Sequence, residues 1–224
     1  RLSMPKTEEY LAIFRNKYNI SSNATGSSGN GNSYRKKYIV GIDRIERMCG
    51  LPIKLLAYRT FLEANPQWVG RCVLIQYGLR CPERGDDYVD TKKRINEEIS
   101  KINLAATGIS DGGDNPAIIY HEVDRVNVYE RTALLKIGDI YLNTCVRQGL
   151  DLMPLEYCAI RAKENNMPCG ILAISEFASA SRILPGAVVF NPFEADGVAK
   201  IIDRCLTMQG METTLRAEQN TVWI

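Results

Sequence analysis

The chain has 224 residues, of which 45% are hydrophobic and 24% charged, a balance typical of a globular protein with a sizeable buried core. Its 28 basic and 26 acidic residues leave a net charge of +2, so no strong field favours nucleic acid or a membrane surface as a partner. No apolar run approaches the roughly 20 residues that a membrane-spanning helix needs.

The seven cysteines are scattered through apolar stretches and are never spaced as Cys-x-x-Cys. This pattern favours reduced, buried thiols in a cytoplasmic protein, with neither a disulfide framework nor a metal site. The single histidine, His121, ends a predicted strand and has no nucleophile in sequence reach, so we interpret it as structural. The first residues lack a signal-peptide core, and we expect an internal fragment boundary there.

The N-terminal part predicts a helix followed by a linker. Four apolar or aromatic residues recur there at helical spacing: Tyr10, Leu11, Phe14 and Tyr18. They predict a helical lead-in segment over residues 1–19. Residues 20–33 are rich in Ser, Gly and Asn and cannot bury enough apolar surface to offset their ordering entropy, so we expect a flexible linker.

Residues 34–210 alternate between apolar runs and amphipathic stretches. The runs predict six strands, at 38–43, 71–77, 116–121, 139–144, 169–174 and 187–190. Helical spacing predicts helices near 51–62, 89–102, 127–137 and 198–206. The alternation predicts an α/β fold, a Rossmann-like, doubly wound parallel sheet of about six strands. Residues 211–224 are expected to form a C-terminal tail or helix.

Ligands of an open parallel sheet bind beyond the carboxyl ends of its strands, which makes the loops at these ends candidate binding loops. The loop after residue 43 holds Arg44 and Arg47. Such an arginine can fork two hydrogen bonds onto a phosphate, or it can simply pair with a neighbouring acid. The loop beginning at Ser175 combines serine with small residues, which suits either close approach of a ligand or a helix N-cap.

The loop after Thr144 predicts an anion site. Gly149 supplies backbone freedom and a helix begins near Leu152, so free N–H groups and the helix dipole favour a phosphate. Glu156 would lie about one turn into this helix, where a carboxylate accepts ribose hydroxyls or merely complements the dipole. The chain has no G-x-G-x-x-G after its first strand and no P-loop, which argues against nicotinamide oxidoreductases and P-loop nucleotidases.

These loops resemble the C-terminal half of trehalose-6-phosphate synthases, retaining glycosyltransferases of the GT-B architecture. The matching segments are Gly41-Ile42-Asp43-Arg44, Gly50-Leu51-Pro52, Asn65-Pro66-Gln67-Trp68, Arg147 with Gly149, Glu156-Tyr157, Ser175-Glu176-Phe177-Ala178 and Asn191-Pro192-Phe193. The resemblance implies a UDP-sugar-binding domain of trehalose biosynthesis with no cofactor. It also implies an N-terminal GT-B domain outside this chain, so the fragment alone is expected to be inactive. Other trehalose-synthesis subunits are candidate partners.

Carried over residue by residue, the resemblance gives ligand roles to several positions. Arg44 matches the arginine that contacts the donor diphosphate, and Glu156 matches the carboxylate that holds the ribose. Leu152 and its neighbours Gly149 and Leu150 match the segment that lines the nucleotide. The expected ligand is UDP or UDP-glucose.

Three positions depart from the family pattern. The diphosphate-binding lysine falls at Cys49, the sugar-contacting aspartate at Gln148 and an asparagine at Asp151. Losing one stabilising charge typically costs on the order of 3 kcal/mol of barrier, and Asp151 would compete with a phosphate for the helix N–H groups. We therefore hypothesise a catalytically impaired, regulatory or structural domain.

Two alternatives remain open. One is an active half-site that binds UDP-glucose for transfer to glucose-6-phosphate, with Arg47 supplying the charge absent at Cys49. The other is a non-enzymatic Rossmann interaction module.

Overall fold

The computed structural model describes residues 5–18, 35–107, 116–161 and 169–222. Its helices are α1 (Pro5–Lys17), α2 (Leu51–Ala64), α3 (Asp86–Thr107), α4 (Val128–Ile137), α5 (Met153–Arg161), α6 (Ala195–Thr207) and α7 (Gly210–Thr221). Its strands are β1 (Lys37–Arg44), β2 (Cys72–Leu79), β3 (Ile118–Val123), β4 (Ile140–Asn143), β5 (Ile171–Ser175) and β6 (Val188–Phe190). The predicted linker, residues 20–33, lies outside the described residues.

The strands form one parallel sheet in the order β3-β2-β1-β4-β5-β6. This confirms the predicted Rossmann-like fold class. The chain builds the sheet outward from β1 in one direction and then from β4 in the other. The order therefore reverses between β1 and β4, which is where ligands of such sheets bind.

Helices cover both faces of the sheet because successive strand residues point to opposite sides. In β1, Ile39 joins the cluster formed with α2, α3 and α6, whereas Val40 joins the cluster formed with α1, α4 and α5. Leu11 and Phe14 of α1 belong to this second cluster, so the lead-in helix packs on the domain core. Helix α7 occupies most of the predicted C-terminal segment and contacts α5 and β5.

Val89, the first residue of the helix predicted near 89–102, does not lie on the buried face of α3. Val89 is 62% exposed, whereas Thr91, Ile95 and Ile102 are buried. Val89 lies two residues before Thr91 and so points about 200° away from it around the helix. The buried face is therefore set by Thr91 and the two isoleucines.

A buried ion pair ties α2 to the centre of the sheet. Lys54 of α2 is fully buried and donates to Asp43 of β1 and, at 3.1 Å, to Gln76 Oε1 of β2. Gln76 Nε2 also donates to Asp43 Oδ2 at 2.9 Å. Gly41 leaves the space for this group, since a Cβ there would lie 2.6 Å from Lys54 Nζ. The cluster fixes α2 directly below the loop that follows β1.

No helix in the described ranges is both long and apolar enough to cross a membrane. The same ranges contain no group of three or more His, Cys, Asp or Glu side chains placed to hold a metal ion. All seven cysteines are free thiols.

We expect Lys54→Met to lower the free energy of unfolding by about 3–5 kcal/mol, because it leaves Asp43 buried without its cation. Urea denaturation followed by circular dichroism measures this. Lys93→Met, on the exposed side of α3, removes the same charge and is expected to change stability by less than about 0.5 kcal/mol. A similar small loss for both variants would contradict the assignment.

The contact of Tyr18, the residue after α1, with His121 of β3 predicts that acid lowers the stability of the fold. The Tyr18 hydroxyl lies 2.9 Å from His121 Nε2, and burial, helped by the nearby Lys17 charge, lowers the pKa of His121 below its ordinary 6.5. Below pH 6.5, His121 binds a proton more readily in the unfolded chain than in the folded chain. The contribution of His121 to stability is therefore fully present above this pH and is lost as the pH falls through it.

We therefore expect the free energy of unfolding to decrease between about pH 7.5 and pH 5.5, and His121→Gln to reduce that slope. Urea titrations at several pH values measure both slopes. An unchanged slope in His121→Gln would assign the acid sensitivity to other groups.

Candidate functional site

A cleft of about 590 Å³ lies at the carboxyl edge of the sheet, where the strand order reverses. Its walls come from the loop after β1, the ends of β2 and β3, the start of α4 and the segment between β4 and α5. Volumes of this size suit a nucleotide-sized ligand. We call it the switch-point cleft.

Backbone contacts between two loops form one wall of this cleft. Val146 N donates to Met48 O at 2.9 Å, and Thr144 Oγ1 donates to Gly50 O at 3.1 Å. Gly50 adopts φ +68°, and a Cβ there would clash with the Thr144 carbonyl group. Only glycine combines this left-handed conformation with so close an approach. The loop after β1 is thereby held against the loop after β4.

The two arginines predicted in the first loop point to different places. Arg44 is exposed, lines the cleft and has no carboxylate within ion-pair distance in the described part of the chain. Arg47 instead pairs with α3, where its Nε lies 3.4 Å from Asp87 Oδ1 and its backbone N–H donates to Asp87 Oδ2. Arg47 would have to leave Asp87 before it could replace a cation at Cys49.

Cys49 lines the cleft as a neutral thiol. Its Sγ donates to Glu46 Oε1 at 3.4 Å, and Glu46 is itself 3.0 Å from Arg84 Nε. Burial, together with the carboxylates of Asp43 and Glu46, raises the pKa of Cys49 far above its ordinary value. The position therefore carries no charge of either sign at neutral pH.

Asp151 occupies the N-terminus of α5 with its own carboxylate. Oδ1 accepts from Met153 N at 3.0 Å, and Oδ2 accepts from Gln148 Nε2 at 3.0 Å. The amide of Asn143, a buried residue, completes the chain by donating to Gln148 Oε1 at 2.9 Å. Burial raises the pKa of Asp151 despite these hydrogen bonds. Gln148 and Asp151, two of the positions that depart from the family pattern, are thus hydrogen-bonded to each other.

Glu156 is already engaged with a basic residue of α4. Arg131 Nη2 donates to Glu156 Oε1 at 3.1 Å, and Arg131 Nε lies 2.8 Å from Glu156 Oε2. Arg131 lines the cleft, whereas Glu156 is half-buried behind it. A ribose hydroxyl would have to share this carboxylate with Arg131.

The remaining predicted residues divide between the cleft and the surface. Gly149 lines the cleft, while Leu150 and Leu152 are 76% and 56% exposed and are not part of its wall. The role of Leu150 and Leu152 in lining the nucleotide remains a prediction, in which the backbone of the segment makes the contact.

Most of the positive charge that lines the cleft was not predicted from the sequence to bind a ligand. Arg125 and Arg147 line the cleft together with Arg44, and these three have no ion pair to any described residue. Arg44 is the last residue of β1, whereas Arg125 and Arg147 follow β3 and β4, so their common signal in the sequence is an arginine at or shortly after the end of a strand. Guanidinium groups that line a cleft without an ion pair to a protein carboxylate favour an anionic ligand.

We expect Gly50→Ala to lower the free energy of unfolding by at least about 2 kcal/mol, because it combines left-handed strain with a backbone clash. Gly149→Ala is the matched control, since nothing lies within 4 Å of its added Cβ. Chemical denaturation of both variants measures the difference. Equal stability of the two variants would contradict the loop contact.

Comparison with known proteins finds related sequences and structures. The family described as glycosyltransferase family 20 matches residues 31–224. The chain is 34% identical over 172 residues to a UDP-forming alpha,alpha-trehalose-phosphate synthase A from Dictyostelium discoideum, covering 77% of this chain and 22% of that protein. It is 31% identical over 191 residues to a trehalose-phosphatase from Zygosaccharomyces rouxii, covering 84% and 20%. The chain thus spans about a fifth of each of these relatives.

Solved structures share the fold. The N-terminal domain of trehalose-6-phosphate phosphatase from Candida albicans superposes with a TM-score of 0.78 at 26% identity, over 98% of this chain and 41% of that one. A UDP-forming trehalose-phosphate synthase from Burkholderia xenovorans gives a TM-score of 0.80 at 23% identity, over 97% and 44%. The chain therefore shares its fold with parts of these two proteins.

Proposed function

Because the chain belongs to glycosyltransferase family 20, we propose that it serves trehalose biosynthesis as a nucleotide-binding domain that is impaired in glucosyl transfer and acts in a regulatory or structural role. One observation carries the proposal: Asp151 fills the N-terminus of α5, where a donor phosphate would otherwise be held.

The chemistry of transfer explains why this matters. Breaking the bond between a sugar and UDP builds negative charge on the diphosphate, which fixed cations and helix N–H groups stabilise. Here the Met153 N–H donates to the carboxylate of Asp151, which also places a like charge beside the phosphate. Cys49 is neutral, and a missing charge typically costs on the order of 3 kcal/mol of barrier. Both changes act against the transition state.

Binding of the diphosphate is supported by different residues. Arg44, Arg125 and Arg147 reach the cleft from three strand ends and have no protein counter-ion among the described residues. Charge-assisted hydrogen bonds from guanidinium to phosphate are among the stronger polar contacts in proteins. The cleft is thus better suited to holding a diphosphate than to expelling one from a sugar.

The relatives support a role beyond synthesis. The chain is 31% identical to a protein named as a trehalose-phosphatase and 26% identical to the N-terminal domain of a trehalose-6-phosphate phosphatase. A domain of this fold thus occurs in proteins named for the phosphatase activity. This favours a role as a non-catalytic part of a trehalose-synthesis protein, in which other subunits are candidate partners.

The second candidate is an active half-site completed by a longer protein. The unpaired arginines favour it, because they could supply the charge that Cys49 does not. A protein that contains the missing GT-B domain would then form trehalose-6-phosphate from UDP-glucose and glucose-6-phosphate. Product formation by such a protein would decide for this candidate and against an impaired domain.

Calorimetric titration of this chain with UDP and UDP-glucose tests the binding step. We expect UDP to bind, and Arg44→Ala to weaken binding by about tenfold through loss of a charge-assisted contact. Arg94→Ala, on the exposed side of α3, is the control and is expected to have no effect. The absence of heat with both ligands would favour an interaction module instead.

The charge argument has its own test. We expect Cys49→Lys combined with Asp151→Asn to strengthen UDP binding by about tenfold or more, because it adds a cation and removes the competing carboxylate. Ser100→Lys combined with Asp90→Asn makes the same change in net charge on the exposed side of α3. If both double variants bind UDP equally, the effect is one of total charge and the local explanation fails.

A further inference from the structure

Four carboxylates line the switch-point cleft, and they differ in whether a basic residue neutralises them. Three are in ion pairs: Asp43 with Lys54, Glu46 with Arg84 and Asp124 with Arg80. Asp151 forms no ion pair with any residue that the structure describes. Its negative charge therefore lies on the wall of the cleft without a cation in direct contact.

Neutral amide groups hold the Asp151 carboxylate in place. Oδ1 accepts from Met153 N and Oδ2 accepts from Gln148 Nε2, both at 3.0 Å, and Asn143 Nδ2 also donates to Oδ2, at 3.5 Å. The oxygens of a neutral carboxyl group still accept hydrogen bonds, and its O–H becomes a donor. Asp151 can therefore take up a proton without breaking an ion pair and without losing the contacts that position it.

The surroundings of Asp151 disfavour its charged form. Burial raises the pKa of this carboxyl above its ordinary 3.8, and the negative charges of Asp43 and Glu156 act in the same direction. The hydrogen bonds from Met153 and Gln148 oppose this effect without cancelling it. A ligand that brings further negative charge into the cleft favours the neutral form still more, because like charges repel.

The other titratable groups that face Asp151 keep one charge state near neutral pH. Two thiols and a phenol have pKa values raised by burial and stay protonated: Cys49 in the loop after β1, Tyr141 of β4 and Cys145 after β4. From α4, Arg131 faces this side and is paired with Glu156 of α5. The arginines that line the cleft keep their charge at any pH at which the protein is folded.

We propose that Asp151 makes nucleotide binding in the switch-point cleft depend on pH, so that the site is weak while this carboxylate is charged and strengthens when it takes up a proton. The inference rests on the proposed nucleotide-binding function. Protonation removes the repulsion between Asp151 and a diphosphate, and the new O–H can donate to a phosphate oxygen. Binding of one nucleotide then takes up at most one proton from solvent at this residue.

Calorimetric titration with UDP-glucose at about pH 7.5, 6.5 and 5.5 tests the inference. Both phosphates of UDP-glucose are diesters that do not titrate in this range, whereas the terminal phosphate of UDP titrates at about pH 6. We expect the affinity to rise roughly tenfold from the highest pH to the lowest, with proton uptake on binding. Repeating the middle titration in two buffers of different ionisation enthalpy measures that uptake.

Asp151→Asn removes the titrating group and keeps an acceptor for Met153 N. This variant is expected to bind UDP-glucose at pH 7.5 about as tightly as the unaltered chain does at pH 5.5, with no pH dependence and no proton uptake. Asp90→Asn makes the same change in net charge on the exposed side of α3 and is expected to keep the original pH dependence.

Two results would overturn the inference. One is an affinity that is equal at the three pH values, or a pH dependence that Asp151→Asn leaves unchanged; this result leaves the proposed nucleotide binding intact. The other is the absence of binding at every pH, in protein whose circular dichroism shows a native fold, which would overturn the proposed function as well.

Discussion

The approach of the Gly50 backbone to Thr144 is the constraint on which the switch-point cleft depends. It crosses the point where the sheet reverses its order and joins the first binding loop to the segment that leads into α5. That segment is joined in turn to the β5–β6 loop through Gln148 and Ala178. Three loops from separate strands therefore behave as one connected rim. The connection holds the loop that carries Cys49 against the segment that carries Gln148 and Asp151.

Within the rim, polar groups divide into those already satisfied by the protein and those left to a ligand. Cys49, Asp151 and Glu156 all have protein partners, whereas Arg44 and Arg147 have no ion pair in the described ranges. The groups that already have protein partners occupy positions that glucosyl transfer would use. The arginines without an ion pair are suited to binding an anion. This division is the physical basis for separating nucleotide binding from catalysis in the proposed function.

The fold could be predicted from the sequence because apolar runs and helical spacing are local signals. The position of the first binding loop followed from a general rule about strand ends. The contacts inside the site could not be predicted, since Arg131 and Glu156 lie 25 positions apart and meet only when α4 packs beside α5. The hydrogen bond from the buried Asn143 amide to Gln148 could not be predicted either, because the sequence does not show which group a polar residue at a strand end contacts. The spacing of apolar residues in the sequence predicts which face of a helix or strand is buried. Which side chains contact one another depends on how these elements pack.

The buried group around Lys54 has a consequence for how this sequence can change over time. Its ammonium, the carboxylate of Asp43, the amide of Gln76 and the space left by Gly41 come from three different elements and fit only together. Replacing one of them first leaves a buried charge, a buried amide or a clash. The four positions are therefore expected to be exchanged among relatives as a set, through few intermediates.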